Sequence, residues 1–543
     1  MTERLGDLRR QVMWTRLISI VEEQAQTLMR TAFSTTVRDA GDLSAAVFDT
    51  QGRMIAEAVT GTPGHVNSMA EGVKHFLAKF PAAAMQEGDH FITNDPWLTA
   101  GHLHDITVVS PVFIDGVVAG FVGCCCHQLD IGGLGQGPDG RSIFEEGLQI
   151  PLLKLASAGR LNQDLLDIIR QNVRTPMQVE GDVLSYIAGN ETGAQRLVEM
   201  MREFSLPNLD AVGDYILEQS RKATLAKIAD LPRGRWTSAL VIDGYDAPIT
   251  LRAALTIRDH EVEIDFEGSD PATSHGINVV LNYCRAYSIF GLKCVIAPET
   301  PNNHGALEPF VVKAPLGSIL NAERPAPVAA RHVVGQMLPD LVFGCLSQAL
   351  PGRVPAEGSS CLWSVQLRGE TRRPGNAVQR FDTVFFNSGG SGARPGQDGL
   401  SATAFPSGVR AMPVEVTEAG APIVIWRKEL RPDSGGQGRY RGGLGQTVEV
   451  GGRWGDAFEV LAMYERVKTP ARGRDGGDDG APGIVSLASG SVLRAKGLQR
   501  IPAGDRLVLA LPGGGGLGDP SQRPTEMAQS DLDQGLVATL STN

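Results

Sequence analysis

Three stretches of the chain gather side chains able to hold a metal ion or move a proton. Residues 37–49 (VRDAGDLSAAVFD) carry Asp39, Asp42 and Asp49. Residues 94–109 (NDPWLTAGHLHDITVV) carry Asp95, His102, His104 and Asp105, and residues 123–133 (GCCCHQLDIGG) carry His127 and Asp130. Neutral imidazole and carboxylate are the usual ligands of a catalytic first-row divalent ion, which keeps one coordination position open. Taken singly, each of these residues is as well explained as a loop polar, an Asp capping a turn or a His on a strand rim. Taken together, two histidines and a carboxylate converging on one place favour a metal. Two pairings fit equally well at this level. His102 and Asp105 can share an ion, or His102 and His104 can do so as alternate residues of a strand, leaving Asp105 on the opposite face.

What brings residues 25 apart together is a hairpin. Residues 107–113 alternate as a strand, Asp115-Gly116 is a two-residue turn, and VVAGFVGCCCHQLD follows as a nearly continuous apolar second strand. His102 lies just before the first strand and His127 ends the second, so antiparallel pairing puts both at one end. The Cys124–Cys126 triplet reads as core within that strand. Around the hairpin, helices are expected over 9–33, 69–80, 162–204 and 208–231. Strands are expected at 47–48, 54–55 and 89–94. From Trp236 the pattern alternates as antiparallel strands, with further helices over 279–294 and 332–350. After Pro351 the chain is glycine-rich, mostly strand and loop.

The expected architecture is α+β and multi-domain, mixing helices with antiparallel strands. The expected domains are an N-terminal α/β metal-binding domain (1–232), an α+β middle domain (233–350) and a glycine-rich, mostly β C-terminal domain (351–543). The whole chain has 543 residues, with 50 Lys+Arg against 61 Asp+Glu and a net charge of −11. That balance argues against nucleic acid as the main ligand. The 65 glycines are about 12% of the chain, against an average near 7%. Seven cysteines, none in a CxxC pair, do not make a disulfide framework. No signal-peptide core and no uninterrupted apolar run of about 18 residues are seen, so the expectation is a cytoplasmic protein with no membrane span. PGGGGLGDP (512–520) lacks the GK[ST] ending of a phosphate loop and reads as structural. Two more glycine-rich runs, 388–399 and 432–445, carry Arg394, Arg439 and Arg441 as candidates for holding anions, and the segments with Arg394 and Arg441 are expected to offer a partner surface. Arg331-His332 opens a helix and reads as structural. No GxSxG, HExxH or GxGxxG in a suitable context is present.

At these residues the sequence resembles the hydantoinase B / 5-oxoprolinase-type B-subunit family, along essentially its whole length. The resemblance rests on RDAGDLSAAVFDTQGRMIAE, GHVNSM, NDPWLTAGHLHDITVVSPVF, EEGLQIPLLKL, RHVVGQ, FNSGGSGARPGQDGLSATAFPSGVR, VIWRKELRPDSGGQGRYRGGLGQ and GGGGLGDP, in that order. It implies a metal-binding subunit, with zinc foremost and manganese as the alternative, that works with an ATP-binding A-type subunit using ATP and magnesium, in an A2B2 assembly. The implied reaction is ATP-dependent opening of a hydantoin, 5-oxoproline or other lactam ring. The alternatives are a subunit of an ATP-dependent acetone- or acetophenone-type carboxylase, or a metal-stabilised scaffold without catalysis. Carried over position by position, the implied ligands are Asp42, His102, Asp105 and His127. The family's HLPD segment reads HLHD here, so the resemblance disfavours His104, which stands where the family has proline. Acid and base roles are left open, with His104 and Asp130 as neighbours.

Overall fold

A computed structural model describes residues 2–59, 61–372 and 378–539. Its first sheet positions the histidines. The strands are β1 (Leu43–Phe48), β2 (Met54–Glu57), β3 (His90–Thr93), β4 (Asp105–Ile114), β5 (Val117–His127), β6 (Leu153–Ser157) and β7 (Arg160–Leu161), in the order β2-β1-β5-β4-β3-β6-β7 and antiparallel throughout. The β4–β5 turn places Asp115 and Gly116 at φ 50° and 79°, the left-handed pair that matches the strand twist. β5 is central and buried on both faces. Cys124 and Cys126 pack on the side of the Pro176–Phe204 helix, while Cys125 faces the Pro63–Lys79 helix, the two-residue alternation of a strand. All seven cysteines are free.

The Pro63–Lys79 helix starts six residues before the expected one. Thr62-Pro63, with Pro at the first helical position, is its start signal. The helix expected over 162–204 is two helices, Gln163–Asn172 and Pro176–Phe204, because Pro176 disfavours helical geometry in the residue before it. That expected over 332–350 is likewise divided into His332–Gly335 and Leu338–Ala349, with Pro339 in the first turn of the second.

The second sheet has the order Phe310–Lys313, Val262–Asp265, Ile249–Ile257, Gly234–Ile242. It is antiparallel except for the first pair, and the Leu281–Ile296 and Leu338–Ala349 helices pack beside it. Two further four-stranded antiparallel sheets lie between Trp363 and Ala510. They bury one common apolar core that includes Trp363, Val365, Val448, Val460 and Leu509. The architecture is α+β, built of mixed helices and antiparallel-dominated sheets.

The glycine-rich runs have an interior role. Gly513–Gly516 run extended among the segments around 391, 436–443 and 474–478. Gly514 N–H donates to Gly443 O at 2.9 Å, Gly516 N–H to Asp478 O at 2.9 Å and Gly443 N–H to Ser391 O at 2.8 Å. A Cβ on Gly514 would lie 1.9 Å from Ser391 O, and one on Gly442 1.9 Å from Gly514 O. Only glycine lets backbones pack this closely. The expectation of a partner surface here fails for Arg441, which is buried and paired with Asp531 at 3.2 Å. Arg394 folds back onto Asp398 O at 3.0 Å. These arginines tie loops together.

Candidate metal centre

β4 begins at Asp105 and β5 ends at His127, and the register sets these two residues directly opposite each other. His102 and His104 precede the strand, so the alternation that would put both on one face does not apply to them. His102 folds back in the entering turn, where its carbonyl accepts Asp105 N–H at 3.5 Å. Its Nε2 lies 2.7 Å from Asp105 Oδ1, and His127 Nδ1 lies 2.9 Å from the same oxygen. The donor atoms of His102, Asp105 and His127 lie within 4.8 Å of one another, and all three residues are buried. His127 N–H also donates to Asp42 O at 3.0 Å, which brings the residue before β1 to the same end of the sheet.

Asp42 lies just outside that triad. Its Oδ1 accepts the Thr62 hydroxyl at 3.0 Å and is 3.7 Å from His65 Nδ1. His65, in the first turn of the Pro63–Lys79 helix, reaches Asp105 Oδ2 with Nε2 at 2.9 Å. A second group of close donors is therefore His65, Asp105 and Cys125. Burial, followed by the Asp105 charge, pushes the Cys125 thiol well above its ordinary value, so it stays protonated. His104 is buried, with ring centroids 5.4 Å from His102 and 5.6 Å from His127. Neither of its nitrogens has a hydrogen-bond partner among the described residues.

The remaining acidic residues are used in loops. Asp130 accepts Gly132 N–H at 2.9 Å and Arg174 Nη1 at 2.7 Å. Asp49 holds Arg53 at 2.6 Å, Asp39 pairs with Arg38, and Asp95 caps Trp97 N–H.

Arg331 was not expected at the site. It is buried, pairs with Asp105 Oδ2, donates Nε–H to Ala100 O at 2.6 Å and stacks on Tyr283 at 4.0 Å. Gly101, at φ +93°, makes room for it; a Cβ there would meet Arg331 Cδ at 2.8 Å. Burial works against the Asp105 carboxylate, but His102, His65 and Arg331 outweigh it and hold its pKa well below the ordinary range. Burial works against His65 protonation as well; Asp105 and Asp42 override it and raise the pKa. His102 goes the other way. Burial, then Arg331, lowers it to about 3.

His102 Nδ1 lies 2.9 Å from Ala329 O. A carbonyl only accepts, so Nδ1 carries the proton and Nε2 presents a lone pair toward the cluster. That lone pair faces a carboxylate oxygen at 2.7 Å, yet Nε2 makes no hydrogen bond, and neither does His127 Nε2. Two lone-pair donors this close repel unless a cation sits between them. The donor set of two imidazoles and a carboxylate, with Asp42 adjacent, fits a first-row divalent ion.

The cluster forms one side of a narrow cavity of about 30 Å³. Tyr287, His332 and Gln336 line it as well, and Leu362, Phe386 and Val409 close it from the C-terminal half.

The profile of the hydantoinase B/oxoprolinase family matches residues 7–520. An uncharacterized protein of Methanocaldococcus jannaschii is 31% identical, covering 94% of this chain and 91% of its own. The β-subunit of the caprolactamase of Pseudomonas jessenii is 28% identical over 95% of this chain and 91% of its own. A putative D-/L-hydantoinase B-subunit from a Pseudomonas species is 29% identical, with 97% and 92% covered. The crystal structure of the ATP-dependent caprolactamase from Pseudomonas jessenii superposes with a TM-score of 0.89 at 27% identity, over 98% of this chain and 94% of that one. An acetone carboxylase structure shares the fold, with a TM-score of 0.85 at 21% identity over 98% and 78%. With one profile spanning nearly every residue from the first helix to the last glycine run, this chain belongs to the hydantoinase B/oxoprolinase family.

Proposed function

We propose that this chain is the metal-binding component of an ATP-dependent cyclic amide hydrolase that opens a hydantoin, 5-oxoproline or other lactam ring together with a separate ATP-binding subunit. The observation that carries this reading is the meeting of His102, Asp105 and His127 donor atoms, unpaired at both Nε2 positions, on the wall of a cavity. Asp42, His102, Asp105 and His127 would hold the ion, zinc in the first place and manganese in the second. When bound, it would supply Lewis acidity, polarising a carbonyl oxygen and activating water. The chain's own residues prepare that site. Ala329 O fixes the His102 tautomer. Arg331 and His65 keep Asp105 ionised before any cation arrives. Leu362, Phe386 and Val409 keep bulk water from the ring.

Amide resonance makes the carbonyl a poor electrophile, so activation by phosphoryl transfer in the partner's nucleotide site, with its own magnesium, would precede ring opening here. Two relatives are named as single subunits, one of a hydantoinase and one of a caprolactamase, which supports a partnered assembly. For it we propose A2B2 in the cytoplasm. Among the described residues, no helix is long and apolar enough to cross a membrane.

The test is co-purification with an A-type subunit, followed by turnover of hydantoins, lactams and ketones with and without ATP and bicarbonate. ATP-dependent ring opening without bicarbonate is expected. Turnover of ketones alone, and only with bicarbonate, would replace this reading by a carboxylase.

A further inference from the structure

The cavity wall facing the metal cluster carries several polar side chains, and almost all of them already have partners. Gln336 accepts Leu362 N–H at 2.8 Å and approaches the Tyr287 hydroxyl at 3.4 Å. Ser364 donates to Gln136 at 3.3 Å, and Thr62 donates to Asp42 at 3.0 Å. Arg331 is held by Asp105 and Ala100. His332 is the exception. It lines the cavity and is 5% exposed, and its Nε2 has no hydrogen-bond partner among the described residues. It belongs to neither group of close metal donors. A buried imidazole nitrogen without a partner costs free energy unless something outside the chain satisfies it.

We propose that His332 is a substrate-contacting residue, and that its imidazole hydrogen-bonds the carbonyl edge of a compact ring held between it and the metal cluster. This deepens the reading above and rests on its premise that the cavity takes a small carbonyl compound. A neutral imidazole with its proton on Nε2 offers one N–H donor there, the complement of a carbonyl oxygen. Burial, then Arg331, His102 and His127, holds His332 well below its ordinary pKa, which keeps the ring in that neutral form. Its backbone carbonyl accepts Gln336 N–H at 3.1 Å, and the short His332–Gly335 helix packs against Leu281–Ile296, so the ring is carried on a fixed element.

The experiment is calorimetric titration of the full, zinc-loaded chain with hydantoin, a cyclic amide, and with acetophenone, a ketone. Wild type, His332→Ala and His332→Gln are compared, with zinc content and melting temperature measured for each. His332→Ala is expected to keep its zinc and melting temperature but to bind hydantoin at least tenfold more weakly. His332→Gln, which keeps a donor and an acceptor, recovers most of the affinity. Unchanged hydantoin binding in zinc-loaded His332→Ala would overturn the assignment while leaving the cyclic-amide reading standing. Loss of zinc in His332→Ala would also overturn it, by making His332 part of the metal centre. Acetophenone binding that depends on His332, with no hydantoin binding to wild type, would uphold the contact and remove the cyclic-amide reading. Binding of neither compound to wild type would overturn the proposal.

Discussion

His102 and His104 stand two residues apart, are equally buried and differ in what they face, so the pair makes a sharp test of the proposed metal centre. His102 Nε2 is 2.7 Å from Asp105 Oδ1, whereas His104 lies outside the group of converging donors. Removing residues that merely support ligands costs ten- to hundredfold in metal affinity, so loss of a direct ligand is set here at about a thousandfold. With free zinc at about a hundred times the wild-type Kd, the wild-type site is about 99% filled and gains about 2.7 kcal/mol of stability by mass action. A thousandfold weaker site is about 10% filled and gains less than about 0.1 kcal/mol. His102→Ala should therefore lose nearly all bound zinc, the zinc-dependent rise in melting temperature and activity together. His104→Pro should keep the zinc. The backbone bond at residue 104 is made by its carbonyl, which accepts Gln128 N–H at 2.7 Å and is retained by proline. The assay is elemental analysis of folded protein beside thermal melts with and without chelator. Loss of zinc from folded His104→Pro with retention in His102→Ala would refute the reasoning and make the HxH pair the ligands.

Three further outcomes are expected. Arg331→Met should destabilise the metal-free protein by about 3–5 kcal/mol, because it leaves the buried Asp105 carboxylate without its strongest fixed cation; a change below about 1 kcal/mol in urea unfolding would show that His65 suffices. Burial raises Glu146 from 4.5 to about 8, against the opposing Val328 and Ala329 N–H bonds. The folded state thus keeps a proton that the unfolded chain releases. Its contribution is full below pH 4.5 and is lost as pH rises through about 8. Glu146→Gln should flatten the fall in stability across that window, and an unchanged slope in denaturation at several pH values would contradict it. Gly514→Ala, whose Cβ would lie 1.9 Å from Ser391 O, should cost at least about 4 kcal/mol or abolish soluble expression. Gly420→Ala, with nothing within 4 Å, should be neutral, and equal urea midpoints for the two would sink the argument.

The hairpin could be read from local chemistry, from the Asp115-Gly116 turn and the apolar run after it, but the bulge between Val112 and Phe113, which shifts the register by one residue and so sets Asp105 opposite His127, could not. Asp42 fell near the same place through the family resemblance. His65 was not legible, because the expected helix began too late to include it, although Thr62-Pro63 carried the start signal. Arg331 was out of reach for a different reason. It meets Asp105 across 226 positions, and no local pattern reports a pairing made by packing one sheet against a distant helix. The 512–520 glycine run reads as structural, but the arginines in the other two runs read as surface groups. Their partners, such as Asp531 for Arg441, lie far along the chain.

The glycine segments around Gly513–Gly516 also bear on how the protein responds to temperature. What they bury is peptide group against peptide group. Exposing polar surface lowers the heat capacity of the unfolded chain, while exposing apolar surface raises it. This part of the molecule therefore contributes less to the heat-capacity change of unfolding than a side-chain core of equal volume, and it flattens the stability curve. Hydrophobic burial weakens on cooling, whereas these amide contacts do not rely on it. The glycine segments should then be among the last parts of the chain to loosen in the cold, even though they have no side chains to hold them.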